Sequence, residues 1–205
     1  MSLTYDADQA IAELTAADPT LGAAIAQLGE FGIEPQPMES PFDALARSIV
    51  YQQLSGKAAA TILGRVQALF PQGQLKPGLV LDMPPEALRG AGMSRAKVAA
   101  FRDLAEKTLD GTVPALEELL AMEDAEIIDH LVQVRGIGPW TVEMLLMFRL
   151  GRPDVLPSTD LGIRKGYALV FGLTELPKPS ELVERTEHWR PWRTVASWYL
   201  WRLVD

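Results

Sequence analysis

The sequence predicts an all-α protein, and three observations carry that expectation. Apolar residues recur at spacings of three and four along most of the 205 residues, as they do when one helical face is buried. No convincing period-two run appears, as a half-buried strand would require. Helix-starting residues stand where the apolar runs begin. Ser55 precedes "GKAAATILGRVQALF", Ser94 precedes "RAKVAAFRDLAEKTL", and Pro41 and Pro139 suit a first helical turn.

In chain order the pattern gives helices at about 6–17 and 20–28, then 41–53 behind Pro41 and 57–69 behind Ser55. The prolines and glycines of "FPQGQLKPG" mark a loop. Helices at about 85–91, 95–109, 114–121 and 124–134 follow, the first of them after an ordinary loop at Pro84 and Pro85. Pro139 opens one at 139–150, and two more are expected at 160–171 and, after the loop "LPKPS", at 178–187. The last spans 192–203. The connections are short, with no low-complexity tract and no clear repeat. The expected organisation is a single domain over 1–205, with acidic N-terminal helices to residue 40, a middle helical lobe at 41–130 and a hairpin-containing lobe at 131–205.

Composition narrows the function. Without cysteine there can be no disulfide, thiolate metal site, iron–sulfur cluster or cysteine nucleophile, and His130 and His188 alone do not make a histidine-rich metal site. The start "MSLTYDADQAIAEL" lacks the basic and apolar regions of a signal peptide, and no run reaches the roughly 18 apolar residues of a membrane span. A soluble, intracellular protein is expected. The net charge is −8, but it is unevenly placed. Residues 1–40 hold seven acids and residues 111–132 hold six, with no Lys or Arg in either, so the other segments sum to +5. A locally positive face is compatible with nucleic acid, with modest non-specific affinity.

The stretch "VRGIGPWT" carries more information than a connection needs. Gly136 and Gly138 can adopt positive φ in a very tight turn, with Ile137 plugging the apolar gap between two helices. Amides around Gly138 to Thr141 at the following helix start suit a phosphate. A lone GxG would more often be an ordinary helical connection. Here the motif is Leu131-x-x-Val134-x-Gly136-Ile137-Gly138-Pro139-Trp140-Thr141, followed by an apolar helix and "VLPSTDLGIRKGYALVFG".

That combination resembles the helix-hairpin-helix (HhH-GPD) DNA glycosylase superfamily, and "GIGPWT" is similar to its alkylation-repair branch, 3-methyladenine DNA glycosylase II. The resemblance extends to "ALARSIVYQQLSGKAAATI", "GMSRAKVAAFRDLA" and "HWRPWRTVASWYLWR", and covers roughly residues 40–205. It implies an all-helical fold of two lobes with the active site in the cleft between them, in a compact form without the extra N-terminal domain of the best-known bacterial enzyme. The implied activity is hydrolysis of the N-glycosidic bond of alkylated purines in double-stranded DNA, the first step of base excision repair. The enzyme would act as a monomer and without a cofactor. Rival readings are a related glycosylase for oxidised or deaminated bases, and a non-catalytic DNA-binding module.

The resemblance assigns the catalytic aspartate to Asp160, ahead of Asp154 and the hydroxyls of Ser158 and Thr159. An N-cap role fits Asp160 equally well and is compatible with catalysis, because a helix N-terminus favours a charged carboxylate. Such a carboxylate would stabilise an oxocarbenium-like sugar. Trp140 occupies the hairpin position where lyase members of the superfamily hold a lysine, so Schiff-base chemistry is not expected. Its face offers a stacking surface for a flipped, cationic base. Met144 and Trp201 complete the expected base pocket, Met144 standing where an aromatic is usual. Gln53 or Leu54 would fill the gap left by the base. Ser94, Arg95 and Lys97 are read as phosphate contacts beside Gly136, Gly138 and Thr141. The carbonyls of Val132, Val134 and Ile137 match those that hold a monovalent cation, Na+ or K+, in the family. No general acid for the leaving base is identified, since His130 and His188 both lie outside the matched catalytic motifs.

Overall fold

The computed structural model describes residues 3–204, and among these every regular element is helical. Thirteen α-helices are present in the described residues. These are α1 (Ala7–Ala17), α2 (Pro19–Leu28), α3 (Pro41–Tyr51), α4 (Gly56–Gln67), α5 (Pro77–Asp82), α6 (Pro85–Gly90) and α7 (Arg95–Leu109). They continue as α8 (Leu116–Ala121), α9 (Asp124–Leu131), α10 (Pro139–Phe148), α11 (Leu161–Val170), α12 (Pro179–Arg185) and α13 (Arg193–Arg202), with short 3-10 turns at Pro71–Gly73 and Glu187–Trp189. The element α5 was read as loop, because two prolines and a glycine frame a helix of only six residues. The helix read as 124–134 ends at Leu131, where the hairpin begins.

The chain forms two compact units, one of residues 38–142 and one combining 1–37 with 143–205. This grouping differs from the three expected segments. The acidic N-terminal helices share a unit with the C-terminal ones, and the hairpin belongs with the middle helices. The division falls inside α10, between Val142 and Glu143.

In the 38–142 unit, α7 packs against α3 and α5. Phe42 and Phe101 meet with ring centroids 6.2 Å apart, and Leu45, Ile49, Leu104, Ile127 and Leu131 are fully buried. The guanidinium of Arg102 donates to the carbonyls of Leu81 and Met83 at 3.0 and 3.1 Å, satisfying groups that the end of α5 leaves without helical partners. The starts of α3, α4 and α7 are capped by Ser40, Ser55 and Ser94.

The other unit is built around Leu14, Leu21, Ile25, Ile163, Tyr167, Trp189, Val195, Tyr199 and Leu200. In it α11 crosses α13 at close range. A Cβ at Gly166 would stand 2.1 Å from the Leu200 carbonyl oxygen, so only glycine permits this approach. Asp18 ends α1 and caps α2, and its other oxygen accepts from the Trp189 indole at 2.9 Å. Burial raises the Asp18 pKa, but bonds from the Leu21 amide, Trp189 and His188 outweigh it and hold the carboxyl below its ordinary range.

Candidate functional site

Within the 38–142 unit, three segments picked out in the sequence converge. The turn after α3 places Gln53 at φ 56°, with both Gln53 and Leu54 exposed. Leu54 is therefore not a core residue. Gln52, which sequence reasoning passed over, donates through Nε2 to the Gly136 carbonyl at 2.8 Å, tying this turn to the hairpin. Asp103 on α7 accepts from the Arg135 amide at 2.7 Å and the Lys107 ammonium at 2.7 Å. At the start of α7, Ser94 and Arg95 are exposed. Lys97 is half-buried. Its ammonium donates to the carbonyls of Val50 and Gln52, both at 2.7 Å, and closes the C-terminal end of α3. Burial lowers its pKa from the ordinary lysine value.

The hairpin itself departs from expectation in two places. Gly136 has φ 78°, and a Cβ there would touch Ala100 at 3.5 Å. Gly138 does not adopt a positive φ, and a Cβ there would meet nothing within 4 Å, so one left-handed residue suffices for the turn. The Thr141 amide donates to the Gly138 carbonyl at 3.0 Å, closing a tight first turn of α10, and so is not offered to a phosphate. Val134 and Ile137 are buried, and the Ile137 amide donates to the Val134 carbonyl at 3.0 Å. Trp140 is 45 % exposed, so its face is not consumed by a core.

In the other unit, Asp160 is the N-cap of α11, one position before the helix rather than inside it. Its Oδ1 accepts two donors, the Ile163 amide at 3.0 Å and the Trp201 indole at 2.9 Å. Trp201 is half-buried and stacks on Phe148 with centroids 6.0 Å apart. It therefore orients the aspartate as well as offering an aromatic surface. Gly162 makes the arrangement possible, since a Cβ there would lie 2.8 Å from Trp201 Cδ1 and 3.0 Å from Asp160 Oδ1. Asp154 is occupied elsewhere. Arg193 binds it through Nε at 2.6 Å and Nη2 at 3.0 Å, and Arg190 adds a further ion pair. Ser158 is half-buried and Thr159 exposed in the turn that leads to Asp160. His130 is bonded to the Thr112 carbonyl and His188 to Asp18.

One group near Asp160 escaped sequence reasoning. Glu143 on α10 has Oε2 buried and without a hydrogen-bond partner. Burial, and secondarily the nearby Asp160 carboxylate, push its pKa up to about 7. A single acid in the apolar run "PWTVEMLLMF", three residues after Trp140, was the available signal. Met144 beside it is half-buried.

Comparison with known proteins agrees with this geometry. Residues 46–191 match the family model for HhH-GPD superfamily base excision DNA repair proteins. The chain is 39% identical over 165 residues to DNA-3-methyladenine glycosylase 1 of Schizosaccharomyces pombe, covering 80% of this chain and 72% of the relative. The solved structure of the S. pombe 3-methyladenine DNA glycosylase Mag1 in complex with abasic DNA superposes with a TM-score of 0.81 at 35% identity, covering 94% of this chain and 95% of that one. The DNA-3-methyladenine glycosidase of Bacillus halodurans gives a TM-score of 0.87 at 37% identity, covering 96% of this chain and 89% of that one. By motif, by helical fold and by these relatives, the chain belongs to the HhH-GPD superfamily of base excision DNA repair proteins.

Proposed function

We propose that the protein is a monofunctional DNA glycosylase that hydrolyses the N-glycosidic bond of alkylated purines, of the 3-methyladenine and 7-methylguanine type, in double-stranded DNA. The observation that carries this reading is the Asp160 carboxylate, fixed through one oxygen by the Ile163 amide and the Trp201 indole at the start of α11. As the base departs, positive charge grows on the sugar. A carboxylate already oriented stabilises that charge without reorganising and can position the attacking water. The relatives named as 3-methyladenine glycosylases, and the binding of abasic DNA by one of them, support the substrate class.

The remaining residues fit supporting roles. Trp140, Met144 and Trp201 would each offer a face to the extruded base, and stacking on a cationic purine adds about 0.5–2 kcal/mol. Gln53 or Leu54, both exposed at the turn, would enter the duplex. Ser94, Arg95 and the hairpin at Gly136 and Gly138 would hold phosphate, while Lys97 shapes that surface from within by closing α3. The carbonyls of Val132, Val134 and Ile137 would hold a monovalent cation bridging to phosphate. The Val134 carbonyl keeps a second lone pair beyond its bond to the Ile137 amide, which is compatible with that use. No helix among the described residues is long and apolar enough to cross a membrane. An intracellular monomer acting on DNA is the setting proposed for this activity.

Asp160→Asn tests the proposal. It should lower release of 7-methylguanine from a duplex by about 100-fold or more, with lesion-duplex affinity changed less than about tenfold, or 1.4 kcal/mol. Borohydride should trap no covalent adduct with the wild type, because tryptophan stands at the lysine position. Near-normal release by the variant, or efficient trapping that survives blocking of the N-terminal amine, would overturn the assignment.

A further inference from the structure

Glu143 is an expensive residue to keep where it is. Its helix neighbours Val142, Leu145, Leu146 and Met147 are buried. Its own Oε2 is shut off from solvent and bonds to nothing. A like charge, Asp160, acts on it from the start of α11 and is the charged group that does so. A buried polar atom without a partner costs stability, and neighbouring carboxylates resist ionising together. Yet the two acids sit in opposite settings. Asp160 receives two N–H donors at a helix N-terminus, which complement a negative charge. Glu143 receives none at Oε2. A carboxyl oxygen buried without a partner, beside a carboxylate that accepts two N–H donors, marks two groups with different tasks.

We propose that Glu143 in its protonated form is the proton donor to the departing base, extending the enzyme's range from cationic alkylpurines to neutral purine lesions such as hypoxanthine. This rests on the glycosylase reading above. As the C1′–N9 bond breaks, its electron pair moves into the purine ring and the Glu143 proton arrives at a ring nitrogen, so a neutral base departs. Water adds to C1′ beside Asp160 and loses one proton, and one proton from solvent restores the Glu143 carboxyl. A cationic alkylpurine leaves as a neutral base without that donation, and the proton from water passes to solvent. Asp160 thus serves both substrate kinds and Glu143 serves chiefly the neutral one.

The test is single-turnover release of hypoxanthine and 7-methylguanine from the same duplex between pH 5 and 9, by wild type, Glu143→Gln and Glu143→Asp. The wild type should release hypoxanthine at a rate that falls about tenfold per pH unit above about 7. Glu143→Gln should lower the hypoxanthine to 7-methylguanine rate ratio at least tenfold and abolish that limb, whereas Glu143→Asp should retain it. Thermal unfolding supplies a second readout. Because the folded state keeps a proton that the unfolded chain has lost, wild-type stability should fall relative to Glu143→Gln as pH rises from 4.5 to about 7, and the difference should then level off. An unchanged rate ratio, or parallel stability profiles, would overturn the inference. So would a wild type that releases 7-methylguanine but no hypoxanthine, leaving the glycosylase reading intact. Release of neither base would remove both.

Discussion

At Gly162 a side chain would have to share space with the two groups on which the proposed chemistry rests, the Trp201 indole and Asp160 Oδ1. Gly162→Ala should therefore displace the indole and loosen the carboxylate it holds. A misplacement of this kind costs about 10–100-fold in single-turnover base release. The fold should survive, because the strain falls on a half-buried ring that can shift, and a circular dichroism melt alongside the rate measurement separates the two effects. Asp160 was legible in the sequence because it sits in a motif with a fixed distance to the hairpin. Gly162 and Glu143 were not. Whether a methyl group fits, or whether a glutamate in an apolar helix is half-buried against another acid, depends on what α11 and α13 bring close. No local pattern records that.

At the scale of the element, the hairpin separates its two glycines. Only Gly136 has a left-handed backbone, where an L-residue costs about 1–2 kcal/mol. Gly136→Ala should lower stability by about that amount and weaken binding to damaged and undamaged duplex alike, since the hairpin contributes position and not lesion choice. Gly138→Ala should change stability by less than about 0.5 kcal/mol, having open space and an ordinary backbone. Parallel chemical denaturation and duplex-binding titrations would check both, and equal effects at the two sites would refute the distinction. Periodicity and caps placed most helices to within a few residues. They failed at α5, where Pro77 and Gly78 read as loop although the proline simply opens the helix. They also could not say that Lys97 turns inward, because a lysine near a helix start looks the same whether it meets solvent or two carbonyls.

For the molecule as a whole, charge limits how DNA is held. The net charge is −8, and the positive residues are scattered among the segments outside 1–40 and 111–132. With Lys97 engaged at α3, few cations remain at the convergent turns. Binding to undamaged duplex should therefore fall only gently with salt, with a log–log slope of magnitude below about 4, since each neutralised phosphate contributes roughly 0.9. Fluorescence anisotropy across a salt series measures this, and a slope near −10 would reveal a basic face that the segmental charges do not contain. The uneven charge behind this expectation is legible in the sequence composition. It could not show which segments share a unit, because the pairing of α1 and α2 with α13 spans most of the chain.

That pairing also sets an order of events at the ribosome. Residues 38–142 are continuous and can bury Phe101, Leu104 and Ile127 as soon as they emerge. The arm of α1 and α2 has no such option. Leu14, Leu21 and Ile25 find Trp189, Val195 and Leu200 only after nearly the entire chain has been synthesised. The same arm is joined to the end of α10 where the Gln36 amide donates to the Phe148 carbonyl at 2.9 Å and Arg149 donates to the Pro37 carbonyl at 3.0 Å. Until then the arm waits in water with its apolar faces uncovered. The six acids of residues 1–37, with no basic residue among them to pair, would keep neighbouring nascent arms apart. The acidity that first seemed at odds with a DNA-binding protein would thus keep this segment apart from its like through the interval in which it has nothing to fold against.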